Sequence, residues 1–194
     1  SKKDFEKYLN TSEELGKIIS TNLSRTAHLI KSFKQISIDQ TSEEKREFFF
    51  KEYVEETLFS ISNILKKTNI TVGLTCDNKL KINSYPGIFS QVFTNLIMNS
   101  IYHGYENNEK GHISIEVNKE NNHIKLIYKD DGKGIAKENL SKIFEPFFTT
   151  NRVKGGTGLG LNIIYNIVTK NLNGHIVCKS EEGKGIEFII DFDL

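Results

Sequence analysis

The 194-residue sequence lacks an excess of charge of either sign, with 26 Lys and Arg against 25 Asp and Glu. That balance leaves no bulk footprint for nucleic acid or anionic lipid, so phosphate chemistry must come from a local site. Cysteine is scarce, and Cys76 and Cys178 stand far apart, outside any C-x-x-C spacing. Neither a disulfide framework nor a thiolate zinc site is expected, and a reducing, cytoplasmic setting fits. No apolar run reaches the ~18 residues needed to span a bilayer, and there is no signal-peptide pattern. Internal repeats and low-complexity tracts are missing as well. The chain opens on Ser-Lys-Lys rather than Met and reads as a piece of something longer. Its length holds one ordinary domain and a short accessory element.

Residues 12–37 read as one helix. Thr11-Ser12-Glu13-Glu14 has the form of a capping box, in which a hydroxyl and a carboxylate satisfy free backbone N–H groups. Ile19, Leu23, Thr26, Ile30 and Phe33 follow at alternating steps of four and three, with Leu15, Leu29 and Ile36 widening the stripe. Such a helix needs partner helices to cover that face. Polar and charged residues 38–47 read as a linker or hinge.

Beyond it the pattern changes. A short strand is expected at Glu47–Phe50, a helix at Lys51–Lys67 with Val54, Leu58, Ile61 and Leu65 inward, and a strand at Ile70–Cys76. After a Pro86-Gly87 turn, a second helix is expected over Ile88–His103 with Val92, Leu96 and Ile97 inward. Residues 112–118 and 123–130 alternate as a hairpin, and a Gly-bearing loop runs from Gly132 to Gly158. A helix to Asn171 and strands His175–Lys179 and Ile186–Phe192 close the chain. Strands joined as hairpins and interrupted by helices predict an α+β fold, a mixed sheet with helices on one face.

Four segments carry candidate chemistry. Asn95, Asn99 and His103 recur every four residues, so they share one helix face. An amide oxygen can ligate Mg²⁺ where nucleotide phosphates and water complete the shell, though the same pattern also suits a solvated polar stripe. Asp130-Asp131-Gly132-Lys133-Gly134 follows a strand. A carboxylate there can accept a hydrogen bond from an exocyclic amine, and glycines allow a flat ligand to approach; an acidic turn reads the same way. Phe144-Glu145-Pro146-Phe147-Phe148-Thr149-Thr150 puts three aromatics in a loop, either packing it on the core or anchoring a mobile lid. Gly155-Gly156-Thr157-Gly158-Leu159-Gly160-Leu161 runs into a helix, offering N–H groups to phosphate or serving as a hinge. It lacks the Lys-Ser/Thr ending of a P-loop.

In this order the segments resemble the N, G1, F and G2 boxes of sensor histidine kinases, in the wider ATPase family that includes gyrase and mismatch-repair proteins. The Phe-Glu-Pro-Phe-Phe-Thr-Thr run separates the kinase branch from its relatives. The resemblance implies a two-layer α/β sandwich over residues 41–194, with a mainly antiparallel sheet and ATP under a lid. Residues 1–40 would be part of a dimerisation region, its second helix, with the first missing.

By motif match, Asn99 is implied as Mg²⁺ ligand, with Asn95 assisting around the phosphates. Asp130 is implied to read the adenine amine, over a pocket shaped by Gly132, Gly134 and Ile135. Gly156, Gly158 and Gly160 would let the lid close, with backbone near Leu159 touching phosphate, and Thr157, Leu161, Phe144, Thr149 and Thr150 complete the set. His103 sits where the family often has a basic or polar residue near the phosphates. The family commonly has Lys after the two threonines; here Asn151 and Arg152 follow, so Arg152 or Lys154 would supply the charge.

The implied reaction moves the γ-phosphoryl group of Mg-ATP to a histidine and onward to the aspartate of a response-regulator receiver domain. The full-length protein would be a homodimer, with no nucleic-acid partner; many such kinases are anchored in the inner membrane while the catalytic part stays in the cytoplasm. The family's phosphorylated histidine is followed by an acidic residue. His28, the histidine of the helical region, precedes Leu29-Ile30-Lys31. The acceptor helix is therefore expected outside this chain, which should not autophosphorylate alone.

Overall fold

The computed structural model describes residues 11–24, 26–27, 45–106, 108–150 and 156–194. Residues 11–24 and 26–27 are helical (α1), and the chain is already helical at Thr11, so Thr11 is not the capping position expected there. Leu15, Ile18, Ile19 and Leu23 of α1 are each more than half exposed, an apolar stripe without cover among the described residues. The expected continuation to residue 37 lies outside the described residues.

β1 (Arg46–Phe49) leads directly into α2 (Phe50–Ser60). The helix expected over residues 51–67 is broken at Ile61, where backbone angles of −99° and 5° separate α2 from α3 (Ser62–Leu65). The Ser60 hydroxyl donates to the Thr57 carbonyl at 2.7 Å, a local bond that competes with helix continuation, and Ile61 turns into the core. β3 (Lys81–Ser84) is a strand the sequence pattern did not predict, too short to show its alternation of Ile82 and Ser84. It pairs antiparallel with β1 in a small separate sheet. Pro86 opens α4 (Pro86–Asn99) rather than standing in a turn before it, since a residue without an N–H fits a first helical position.

The main sheet has five strands in the order β2-β4-β5-β7-β6, comprising Asn69–Cys76, Lys110–Glu120, His123–Asp130, Ile186–Asp193 and His175–Ser180. β2 and β4 are parallel and the other three pairs antiparallel, the mixed, mainly antiparallel sheet that was expected. Ile113, Ile115, Ile124, Leu126, Tyr128, Phe188 and Ile190 alternate onto one face. There they meet Phe93, Leu96 and Ile97 of α4 and Ile163 and Ile164 of α6 (Gly160–Asn166) in one core. Phe50, Phe89 and Phe93 anchor α2 to α4, with Phe50 and Phe89 edge to face at 5.0 Å. Each such buried ring contributes roughly 2–3 kcal/mol. The other face is polar, where Glu187 bridges Lys129 at 2.8 Å and Lys179 at 3.4 Å. Helices therefore cover one side only.

Both helices that flank the chemistry end the same way. α4 passes into a π-helical turn over Ser100–Gly104, and α6 into another over Ile167–Asn171. Such turns are rare and reset the angular phase of the residues that follow. Among its described residues, the loop between Gly132 and Gly158 holds one short helix, α5 (Lys137–Leu140).

Candidate nucleotide site

A cavity of about 1220 Å³ opens between α4, α6 and the loops at the ends of the strands. Asn95, Asn99 and His103 all line it, so the expected shared face is real although His103 lies within the π turn. Gly134, Ile135, Thr149, Thr150, Gly156, Thr157, Gly158, Leu159, Gly160 and Leu161 line it too. Among the described residues, Asn99 Nδ2 is buried and makes no hydrogen bond. A buried amide left this way is unfavourable by about 1–3 kcal/mol, and this one stands on the cavity lining. A Cβ placed on Gly160 would lie 3.4 Å from Asn99 Oδ1 and 3.7 Å from Asn95 Oδ1. The start of α6 is thus held against both carboxamides, and their amide oxygens suit a hard cation such as Mg²⁺.

Asp130, Gly132 and Phe144 sit behind this lining. Asp130 is 5% exposed and touches the wall through Ser100, whose hydroxyl reaches Asp130 Oδ2. Its Oδ1 accepts the Gly132 amide at 3.1 Å. Burial pushes the Asp130 carboxyl above its ordinary range, while the Ser100 hydroxyl and the Gly132 and Ile186 amides oppose that rise. Asp131 faces the other way, its Oδ1 accepting the His112 amide at 2.7 Å and the Tyr105 hydroxyl at 2.8 Å. Gly132 lies so close to Gly104 that an added Cβ would stand 2.6 Å from its carbonyl oxygen.

The glycine loop is tied to the closing hairpin. Gly183 N–H donates to the Lys133 carbonyl at 2.8 Å, and Ile135 N–H to the Ser180 hydroxyl at 2.8 Å. Gly134 and Gly185 have φ of +71° and +75°, and a Cβ on either would overlap a backbone oxygen, of Glu181 or of Asp130. These ties bring Lys133, Glu182 and Ile186 to the cavity wall, three residues the motif reading missed. Lys133 lay in plain view inside Asp-Gly-Lys-Gly; Glu182 and Ile186 carried no local signal.

Two of the three aromatics of the Phe-Glu-Pro-Phe-Phe segment pack down. Phe144 lies 5.4 Å from Tyr165 and 6.3 Å from Phe188, its carbonyl held by Asn162 Nδ2 at 2.9 Å. Phe148 is partly buried against the core, whereas Phe147 is 48% exposed. Phe147 N–H donates to the Gly158 carbonyl at 2.9 Å, so the two motifs meet backbone to backbone. Arg152 and Lys154 lie outside the described residues.

His103 faces the cavity near Lys133. Burial first, and the Lys133 ammonium second, hold its imidazole below the ordinary value. Below pH ~6.5 the unfolded chain binds this proton and the folded chain resists it, so stability is lost as pH falls through that value. His103→Gln should therefore lose less stability than the parent between pH 7 and 5, read as the shift of the urea midpoint. An equal acid response in both proteins would remove His103 from the account.

A family model described as histidine kinase-, DNA gyrase B- and HSP90-like ATPase matches residues 85–194, from the start of α4 to the end of β7. This chain belongs to that ATPase family. Within the family its likeness is to kinases. Sensor histidine kinase ZraS of Escherichia coli strain K12 is 34% identical over 138 residues, 71% of this chain and 28% of its own length. The catalytic domain of histidine kinase ThkA superposes with a TM-score of 0.67 at 30% identity, covering 77% of this chain and 95% of that one. ThkA solved with the response regulator TrrA gives 0.70 at 26% identity, over 91% of this chain and 49% of that one. The ATPase family match begins at Tyr85, so α1, β1 and α2 lie outside the residues that the family model matches. Among the described residues, no helix is long and apolar enough to cross a membrane.

Proposed function

We propose that this chain binds Mg-ATP and donates its γ-phosphoryl group to a histidine carried on a dimerisation helix outside the chain, for onward transfer to a response regulator. One observation carries the reading: the unpartnered Asn99 amide, Asn95 and the start of α6 meet over one cavity, with the buried Asp130 carboxylate behind its wall, in contact with Ser100. In this reading Asp130 accepts from the adenine amine, and the backbone of Gly132 and Gly134 sits beneath the base. Asn95, Asn99 and the backbone of residues 156–161 take the phosphates, and Arg152 or Lys154 adds positive charge.

Asn99 would hold Mg²⁺, which neutralises charge on the phosphates. The acceptor imidazole nitrogen forms a bond to the γ-phosphorus as the bond to the β-phosphate oxygen breaks, and ADP leaves. What the chain contributes is position and exclusion of water rather than a covalent intermediate. Residues 1–40 would supply part of the dimerisation region and 41–194 the catalytic domain, in a homodimer whose catalytic part works in the cytoplasm. The exposed stripe of α1 supports the pairing; ThkA, a relative solved with a response regulator, supports the downstream partner.

The test has two arms. Calorimetry of the intact chain should show ATP binding strengthened by Mg²⁺. Addition of the complete dimerisation region with its histidine should yield phosphate that is acid-labile and base-stable. No nucleotide binding would overturn the reading; binding with steady hydrolysis and no phosphohistidine would favour a conformational ATPase instead.

A further inference from the structure

Asp130 is the end of a buried chain of hydroxyls. Tyr128 and Asp130 stand two apart on β5 and so face the same side, toward α4. Ser100, where α4 becomes π-helical, reaches into the gap between them. Its hydroxyl lies 2.7 Å from the Tyr128 hydroxyl and contacts Asp130 Oδ2. Ser100 is 3% exposed and Tyr128 fully buried, so neither hydroxyl has water as an alternative partner.

The proton count fixes the direction of this chain. Ser100 owns one hydroxyl hydrogen, and an ionised carboxylate only accepts. Ser100 must then donate to Asp130, and Tyr128 must donate to Ser100. With the Gly132 amide on Oδ1 and the Ile186 amide also on the carboxyl, the donors of the protein side converge on Asp130 and favour its ionised form. The other groups facing Asp130 do not supply a competing cation. Asp131 on the same loop is anionic, Tyr105 beyond the π turn is held well above its ordinary value by burial, and burial pushes the Cys178 thiol on β6 up to about 12.

We propose that Tyr128 and Ser100 are positioning residues that hold Asp130 as an ionised acceptor, so that the site selects a 6-amino purine over a 6-keto purine. The inference rests on the reading of Asp130 as the base-recognition residue. An acceptor matches the amine of adenine and repels the keto oxygen of hypoxanthine or guanine. A protonated Asp130 would donate instead, and the preference would relax. Burial already favours the protonated form and the Ser100 hydroxyl opposes it. Removing that hydroxyl moves protonation to higher pH.

The experiment compares ATP and inosine 5′-triphosphate binding to the intact chain by calorimetry from pH 8 to 6, in the parent, in Ser100→Ala and in Ser100→Ala/Tyr128→Phe. The double variant replaces both partners by apolar groups of similar shape, which keeps the fold intact if the single variant strands the tyrosine hydroxyl. The ATP-to-inosine preference is expected to fall about tenfold in both variants, and further as pH falls. Parent and variants with the same preference and the same pH profile would overturn the proposal, even if both ligands bound more weakly. A parent that binds neither nucleotide would overturn the functional reading itself, and this proposal with it.

Discussion

Asn99→Ala should lower Mg-ATP affinity roughly fiftyfold while leaving the thermal midpoint within about 2 °C of the parent. The two halves of that expectation come from one atom. Asn99 Nδ2 is buried without a hydrogen-bond partner, so truncation removes no bond within the described protein and relieves an unsatisfied donor. In the proposed complex the same side chain meets metal and phosphate, where bonds to charged groups are worth about 1.5–3 kcal/mol. Titration with and without Mg²⁺ separates the effects: the loss should be large with the metal and small in its absence. A variant that melts well below the parent, or binds Mg-ATP equally, would contradict the assignment.

The second large effect is expected at Gly185. Its φ of +75° disfavours any side chain, and a Cβ there would overlap the Asp130 carbonyl oxygen. Gly183 is the built-in control, with φ of +79° and nothing within 4 Å of an added Cβ. Gly183→Ala meets only the left-handed backbone penalty, about 1 kcal/mol, or ~3 °C. Gly185→Ala adds the collision with β5 and should cost at least ~3 kcal/mol, lowering the midpoint by roughly 10 °C. Because the displaced atom belongs to Asp130, nucleotide affinity should fall with it, whereas Gly183→Ala should bind as the parent does. Equal midpoints for the two variants would show that the turn relaxes freely.

What could be read from the sequence was what repeats or clusters locally. The four-residue step from Asn95 to Asn99 to His103 put all three on the cavity. Alternation placed β4, β5 and β7 with their apolar faces inward, and the pairing came out mainly antiparallel. What escaped was set by tertiary contact. β3 exists because β1 pairs with it, over four residues whose pattern alone is too short to count. Ser100 looks like a neutral helix residue until the π turn and β5 bring it against Asp130 and Tyr128. Glu182 enters the site only because the Gly183 amide is bound to the Lys133 carbonyl, some fifty positions away. The helix over 51–67 failed for a different reason: apolar spacing ran through Ile61 unbroken, and the competing Ser60 bond left no trace in that spacing.

The place of β7 beside the central strand sets when this site can exist. β5 lies between β4 and β7, and Asp130 pairs with Ile186, the first residue of the last strand. During synthesis the asparagine helix, the glycine loop and the lid segment all leave the ribosome before that strand does. Until β7 arrives, Asp130 has an open sheet edge beside it, and the turn that bonds Lys133 through Gly183 has no second strand to close it. The strand made last therefore completes the floor beneath the segments made first, and a chain stopped before residue 186 would carry all four motifs and no working pocket.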